Sequence, residues 1–256
     1  MINEQNPILD YLEFNVSDHC NLKCTGCALF SPISSPGYIN ILQHEKDMAR
    51  LAILFSGINI IRLIGGEPLL NKHILDVIII SRNYFPDANL HILSNGTLLK
   101  KMSPKFWGII RQHRVEIDIT LYPALVGIDK TIEKITKLHG IQFNARQKIF
   151  FKKYMHPFWP IDPLSSFNSC KFKYSTFLRN GMISACHMPS LVYKFNDRFG
   201  TNLPTNGAQD IHIDGLSAED ILAFLAKPSE ICQFCSVRPE KFIWRQSVPK
   251  LEDWCV

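Results

Sequence analysis

The chain has 256 residues, 46% hydrophobic and 20% charged, with a formal net charge of +5, a balance that suits one globular core with a smaller appended unit. No block of ~5 Lys and Arg marks a nucleic-acid face, no apolar run reaches the ~18 residues of a bilayer span, and MINEQNPILDYLEF lacks the charged-then-apolar order of a secretion signal. No nucleic-acid or membrane partner is therefore expected, the location is read as cytoplasmic, and the mild positive charge suits an anionic substrate or an acidic electron-transfer partner.

Short β-type runs occur at Tyr11–Val16, Asn59–Ile64, Asn89–Ser94, Val115–Leu121 and Ile141–Arg146. Helical stretches separate them. Asn71 is placed as the N-cap of a helix carrying Ile74, Leu75, Ile78 and Ile79 on one face. Ser103-Pro104 opens another, and Lys130–Leu138 spaces Ile132, Ile135 and Leu138 along a third. Strand–helix alternation implies a parallel sheet. Three strands are apolar on one face only: Leu12, Phe14 and Val16 interleave with Glu13 and Asn15, Val115–Leu121 with Glu116, Asp118 and Thr120, and Ile141–Ala145 with Gln142, Asn144 and Arg146. A packed closed barrel would be apolar on both faces. The polar face either meets solvent or lines the concave side of an open, partial barrel. The second reading is preferred, because open parallel sheets bind ligands at their carboxyl edge. The expected fold is therefore α/β, a partial (β/α) barrel of about five to six parallel strands, with Glu116, Asp118, Asn144 and Arg146 as candidate ligand contacts.

Beyond residue 150 the alternation fades. Residues 150–168 are rich in aromatics and proline and read as a linker or substrate-facing loop. Asn180-Gly181 marks a hairpin, and Ser217–Ala226 a short helix whose Ser217 and Asp220 approximate a capping box. The expected division is 1–165 for the core and 166–256 for a small C-terminal unit.

The eight cysteines fall into sets of three, four and one. In a reducing compartment they are poor candidates for disulfides. Cys20, Cys24 and Cys27 follow the first strand with the spacing C-x3-C-x2-C. Three thiolates can hold three irons of a cubane and leave the fourth open for chemistry; a zinc site completed by His19 is the alternative. Cys170, Cys186, Cys232 and Cys235 make a four-ligand set for zinc or for an iron–sulfur cluster. Cys255 stands alone, and the bland reading of it is a tail thiol.

Two more motifs end successive strands: Gly65-Gly66-Glu67-Pro68 after the second and Ser94-Asn95-Gly96-Thr97 at the third. With the cysteine triplet in front, the order resembles the radical S-adenosylmethionine (SAM) superfamily. The resemblance implies a [4Fe–4S] cluster on Cys20, Cys24 and Cys27, with SAM chelating the open iron. It also implies a SAM site from Gly65, Gly66, Glu67, Pro68, Ser94 and Asn95, to which the strand pattern adds Asp118 and Arg146. Gly26 departs from the family, which often has an aromatic there. The set C-x10-G-x4-C followed by C-x2-C resembles the short "twitch" form of the SPASM domain, implying an auxiliary [4Fe–4S] cluster on Cys170, Cys186, Cys232 and Cys235.

The resemblance implies a radical enzyme served by a flavodoxin or ferredoxin-type reductant, which removes a hydrogen atom from substrate. A first strand at residue 11 leaves no room for a peptide-recognition domain ahead of it. Together with the polar strand faces, this favours a small polar, carbohydrate-like substrate: epimerisation of a carbinol in a sugar, aminocyclitol or nucleotide sugar. The alternatives are dehydrogenation of such a carbinol, epimerisation or cross-linking of a ribosomally made peptide, or a non-catalytic metal-binding module. For an epimerase, Cys255 is the expected hydrogen-atom donor, its tail anchored by Trp244 and Trp254.

Overall fold

The computed structural model describes residues 6–125 and 127–256. The first part runs β1 (Ile8–Ser17), α1 (Ile41–Leu54), β2 (Gly57–Gly65), α2 (Ile74–Tyr84), β3 (Asn89–Ser94), α3 (Pro104–Gln112), β4 (Val115–Leu121), α4 (Ile128–His139) and β5 (Phe143–Gln147). The second runs β6 (Phe150–Met155), α5 (Pro163–Ser169), β7 (Phe177–Arg179), β8 (Met182–Ser184), α6 (Met188–Leu191), α7 (Tyr193–Phe199), β9 (Gln209–Asp210), α8 (Ala218–Leu225) and β10 (Cys235–Ile243).

The main sheet has the order β5-β4-β3-β2-β1-β7-β8-β9. Strands β1 to β5 are parallel, as the alternation with helices requires, and β7 joins parallel to β1 through Glu13–Phe177 and Phe14–Leu178. Strands β8 and β9 continue antiparallel. The C-terminal segment thus extends the sheet of the core. This is the expected α/β partial barrel.

One face of the sheet is apolar because Leu12, Phe14, Val16, Ile117 and Ile119 alternate inward, each 0–1% exposed, and meet Met48 and Leu51 of α1 and Val77 and Ile78 of α2. Each such side chain stabilises the fold by about 1.5–3 kcal/mol. The other face carries Glu13 and Asn15, also buried.

Four local expectations change. Helix α2 starts at Ile74 with His73 in the cap position, not Asn71. The Asn71 side chain instead accepts from His73 N (2.8 Å) and donates to Val16 O (2.8 Å), tying the end of β1 to the turn. Strand β5 starts at Phe143, because Gly140 closes α4 in the left-handed region and Ile141 N donates to Thr136 O at 2.9 Å. Helix α1 is absent from the sequence reading, since polar His44 and Asp47 lie on its buried face. Residues 150–168 are a loop only at 156–162: before it lies β6, paired antiparallel with β10, and after it α5, capped by Asp162. Pairing with a strand so far downstream leaves no local signal.

Candidate active site

The loop after β1 carries Cys20, Cys24 and Cys27, and all three line one cavity of about 310 Å³. The chain's last residues hold that loop in place. Thr25 N donates to Arg245 O (3.0 Å) and Lys23 N to Gln246 Oε1 (2.8 Å). Trp244 Nε1 donates to Cys24 Sγ at 3.2 Å, and Trp254 Nε1 to Cys27 O at 2.8 Å. Burial pushes the Cys20 thiol up to about 12 and the Cys24 thiol up to about 11, the Trp244 hydrogen bond working against the latter.

Behind this loop, Gly66 N donates to Ser17 O (2.8 Å) and Glu67 N to His19 O (3.1 Å). A Cβ on Gly66 would stand 2.0 Å from His19 O, and one on Gly65 2.3 Å from Ser17 O. Only glycine allows the two strand ends to approach this closely. Glu67 is fully buried, and its carboxylate accepts from Leu69 N (3.2 Å), Ser94 Oγ (2.7 Å) and Asn95 N (2.9 Å). Burial raises its pKa to about 7 against those three donors. Asn95 Nδ2 reaches Asn21 Oδ1 (2.8 Å) and Cys20 Sγ (3.7 Å). The ends of β1, β2 and β3 are thereby joined in one hydrogen-bonded unit.

The cavity floor takes side chains from all five parallel strands: Glu13, Arg62, Leu93, Thr120 and Arg146. Lys148 follows from just past β5. Three cations therefore face one carboxylate, and burial lowers the Lys148 pKa, partly offset by Cys27 and Cys24. Arg62 is held by Asp118 (3.4 Å), which also meets His91 (3.3 Å) and Asn144 (3.2 Å). Glu13 accepts from the Tyr11 hydroxyl, and burial raises its pKa.

The second cysteine set also comes together. Cys170 ends α5, Cys186 follows β8, Cys232 lies in a 3₁₀ turn (Glu230–Phe234) and Cys235 opens β10. Burial raises the pKa of Cys170, Cys186 and Cys235, and the mutual charge of the set raises each further. Phe172, Ser175 and His187, close in sequence to Cys170 and Cys186, form the cavity wall on that side.

Among the described residues, no three or more His, Cys, Asp or Glu side chains gather as ligands of one ion do. Zinc holds its sulfurs at about 2.3 Å, whereas a cubane spreads its thiolates over separate irons. The triplet, the glycine cradle and the buried thiols fit such a cluster. His19, the alternative zinc ligand, packs its ring against Tyr38 and does not line the cavity.

Of the expected cofactor residues, Gly65, Gly66, Ser94, Asn95 and Arg146 line the cavity. Glu67 and Pro68 stand behind it, fully buried or nearly so, and Asp118 acts on the cavity only through Arg62. Cys255 is not brought to the cavity. It bridges to Met155, beside Lys153, with its thiol raised by burial to about 11. Glu13, Arg62, Tyr122 and Lys148 line the cavity without standing among the expected site residues, although polar-face alternation marks Glu13. Trp244, expected as an anchor of the tail, lies against Cys24 of the cysteine loop.

Residues 14–146 match the model of the Radical SAM superfamily. Curated relatives include the GTP 3',8-cyclase of Nautilia profundicola, 41% identical over 100 residues (38% of this chain, 31% of that one). Those of Campylobacter fetus and Helicobacter pylori are each 31% identical, over 102 residues (40% and 32%) and 144 residues (56% and 45%). The chain thus spans about a third to under half the length of these relatives. A crystal structure of BtrN in complex with AdoMet and 2-DOIA has the same fold, with a TM-score of 0.54 and 14% identity over 90% of this chain and 94% of that one. These relatives overturn the expected carbohydrate epimerase or dehydrogenase and the peptide-modifying alternative, since they are named for action on GTP. The physical source of the error lies in the strand faces. The polar residues of β4 and β5 largely bind one another, and what they leave facing the cavity is cationic.

Proposed function

The chain belongs to the radical SAM superfamily, and on that premise we propose that it is an enzyme that removes a hydrogen atom from a phosphorylated nucleoside of the GTP class. When bound, the family's [4Fe–4S] cluster and SAM would supply the radical chemistry that removes a hydrogen atom from substrate. Everything else falls to the chain. Cys20, Cys24 and Cys27 would hold the cluster. Gly65 and Gly66, which let the strand ends approach, and Ser94 and Asn95, fixed by Glu67, would line the SAM site.

The observation that carries the substrate class is the floor of the cavity. Arg62, Arg146 and Lys148 line the space beside the three thiols; among the described lining residues Glu13 is the one carboxylate, and Asp118 pairs with Arg62 from behind. Fixed cations in a partly desolvated site favour phosphate over a neutral polyol, and arginine binds it bidentately. The names of the relatives support the same class. Tyr122 and Phe151 wall the site with apolar surface, which excludes water from a radical.

In the same reading, Cys170, Cys186, Cys232 and Cys235 hold an auxiliary cluster. Residues 1–165 form the catalytic unit and 166–256 the auxiliary one, and a flavodoxin or ferredoxin-type protein serves as reductant. Anaerobic reconstitution should then load about eight irons, by the count of the two thiol sets. With SAM and dithionite, GTP should raise 5′-deoxyadenosine formation, and deuterated GTP should pass deuterium to it. SAM cleavage that no nucleoside triphosphate stimulates, with no deuterium transfer, rejects the substrate class. Cleavage retained after changing Cys20, Cys24 and Cys27 to Ala rejects the cluster assignment.

A further inference from the structure

The segment from Trp244 to Trp254 forms a strap across the cysteine loop. Its backbone runs antiparallel to the loop at Cys24–Gln246, with Thr25 N bonded to Arg245 O and Ser247 N to Lys23 O (3.3 Å). Gly26, where the sequence departs from the family's aromatic, has φ +62, and a Cβ there would lie 2.6 Å from Asp253 O and 3.0 Å from the Phe242 ring. The strap thus takes the space that a side chain at 26 would need.

Within it, Trp244 is 7% exposed and stacks on Tyr122 of the cavity wall, with ring centroids 5.4 Å apart and planes 11° apart. Stacking and burial fix the indole so that Nε1–H points at Cys24 Sγ, 3.2 Å away. An indole N–H can only donate. Trp254 makes the corresponding bond to a backbone carbonyl, Cys27 O, so that its N–H is given to a carbonyl and not to a sulfur.

We propose that Trp244 sets the reduction potential of the cluster held by Cys20, Cys24 and Cys27, through its hydrogen bond to the Cys24 sulfur. The proposal rests on the reading of these three cysteines as cluster ligands. A reduced cluster carries one more negative charge than an oxidised one. A fixed N–H on a ligand sulfur therefore favours the reduced form and raises the potential, as hydrogen bonds to cluster sulfurs do in general. The same bond is buried, so water does not replace it when it is lost.

The test is a dithionite-poised redox titration of the reconstituted holo-protein, read by EPR without SAM. The signal that changes when SAM is then added identifies the cluster concerned. Trp244→Phe keeps an aromatic ring on Tyr122 but has no donor, and its midpoint should move to a more negative potential. Trp254→Phe loses a bond to a carbonyl and should leave the midpoint where it is. An unchanged midpoint in Trp244→Phe overturns the proposal, as does an equal shift in Trp254→Phe, which would assign the effect to loop packing. If Trp244→Phe fails to load iron, β-(3-benzothienyl)alanine at 244 gives the same readout, since it keeps the bicyclic shape and replaces N–H by sulfur. A SAM-responsive signal that persists without Cys20, Cys24 and Cys27 condemns the ligand reading instead, a separate outcome.

Discussion

Asp18 joins the first strand of the core to the C-terminal segment, and replacing it by Asn tests how strongly. Its carboxylate accepts from Arg179 of β7 (2.7 and 3.0 Å), Lys194 of α7 (2.6 Å) and Asn15 (2.7 Å). The side chains of Asp18 and Lys194 are 13% and 5% exposed. Burial alone would raise the Asp18 pKa, but hydrogen bonds and charges from Arg179 and Lys194 outweigh it and bring it from 3.8 to about 2. A depression of that size corresponds to about 2 kcal/mol of folding stability at neutral pH. Asp18→Asn also leaves two cations with no carboxylate between them, so the loss should lie between about 2 and 5 kcal/mol. The folded pKa is lowered, so the contribution is complete above the unfolded value of 3.8 and declines as pH falls toward 2. Between pH 7 and pH 3 the advantage of wild type over Asp18→Asn should narrow by about 1 kcal/mol. Urea midpoints followed by tryptophan fluorescence measure both gaps. A gap under about 1 kcal/mol at pH 7, or one that does not narrow toward pH 3, refutes the account.

Gly66→Ala places a Cβ 2.0 Å from His19 O, so it should cost about 3 kcal/mol or displace the cysteine loop, visible as a lower urea midpoint or lost iron; wild-type values of both reject the close approach. Glu67→Ala strands three buried donors, Leu69 N, Ser94 Oγ and Asn95 N, and should weaken both SAM binding and folding, the latter by about 1–3 kcal/mol, as calorimetry and urea titration report. For Glu67→Gln the sign follows from a raised pKa, about 7 against an ordinary 4.5: wild type loses stability relative to Gln as pH rises from 5 to 8, and a gap moving the other way contradicts the buried carboxyl. Cys255→Ala should leave SAM cleavage and product formation intact, because the thiol does not reach the cavity; loss of product with SAM cleavage retained would restore a direct role.

Local pattern was enough for the parallel core. Strands β3 and β4 occupy the expected residues, because alternation of apolar and polar side chains is a property of neighbours in sequence. The Asn180-Gly181 hairpin and the Ser217–Asp220 capping box are likewise set by a few adjacent residues, Asn180 and Gly181 taking positive φ at the turn. The three cysteines and the two glycine motifs were legible as a site for the same reason: each lies just past a strand, and parallel strands bring their carboxyl ends together.

What remained hidden depends on contacts between residues far apart. The chain itself determined five parallel strands, the helices after the second, third and fourth of them, and the thiols that follow the first. Only the folded molecule decided which polar residues reach the cavity. Asp118 and Arg146 are indistinguishable by alternation, yet Asp118 is held among Arg62, His91 and Asn144, while Arg146 lines the cavity. Glu67 reads as a ligand and stands as a brace, because Ser94 and Asn95 come to its carboxylate from another strand end. The return of β10 to β6, and of Trp244 to Cys24 across 220 positions, has no precursor in local spacing. Such pairings are specified by the shape of the packed surfaces, which exists only once the chain has closed on itself.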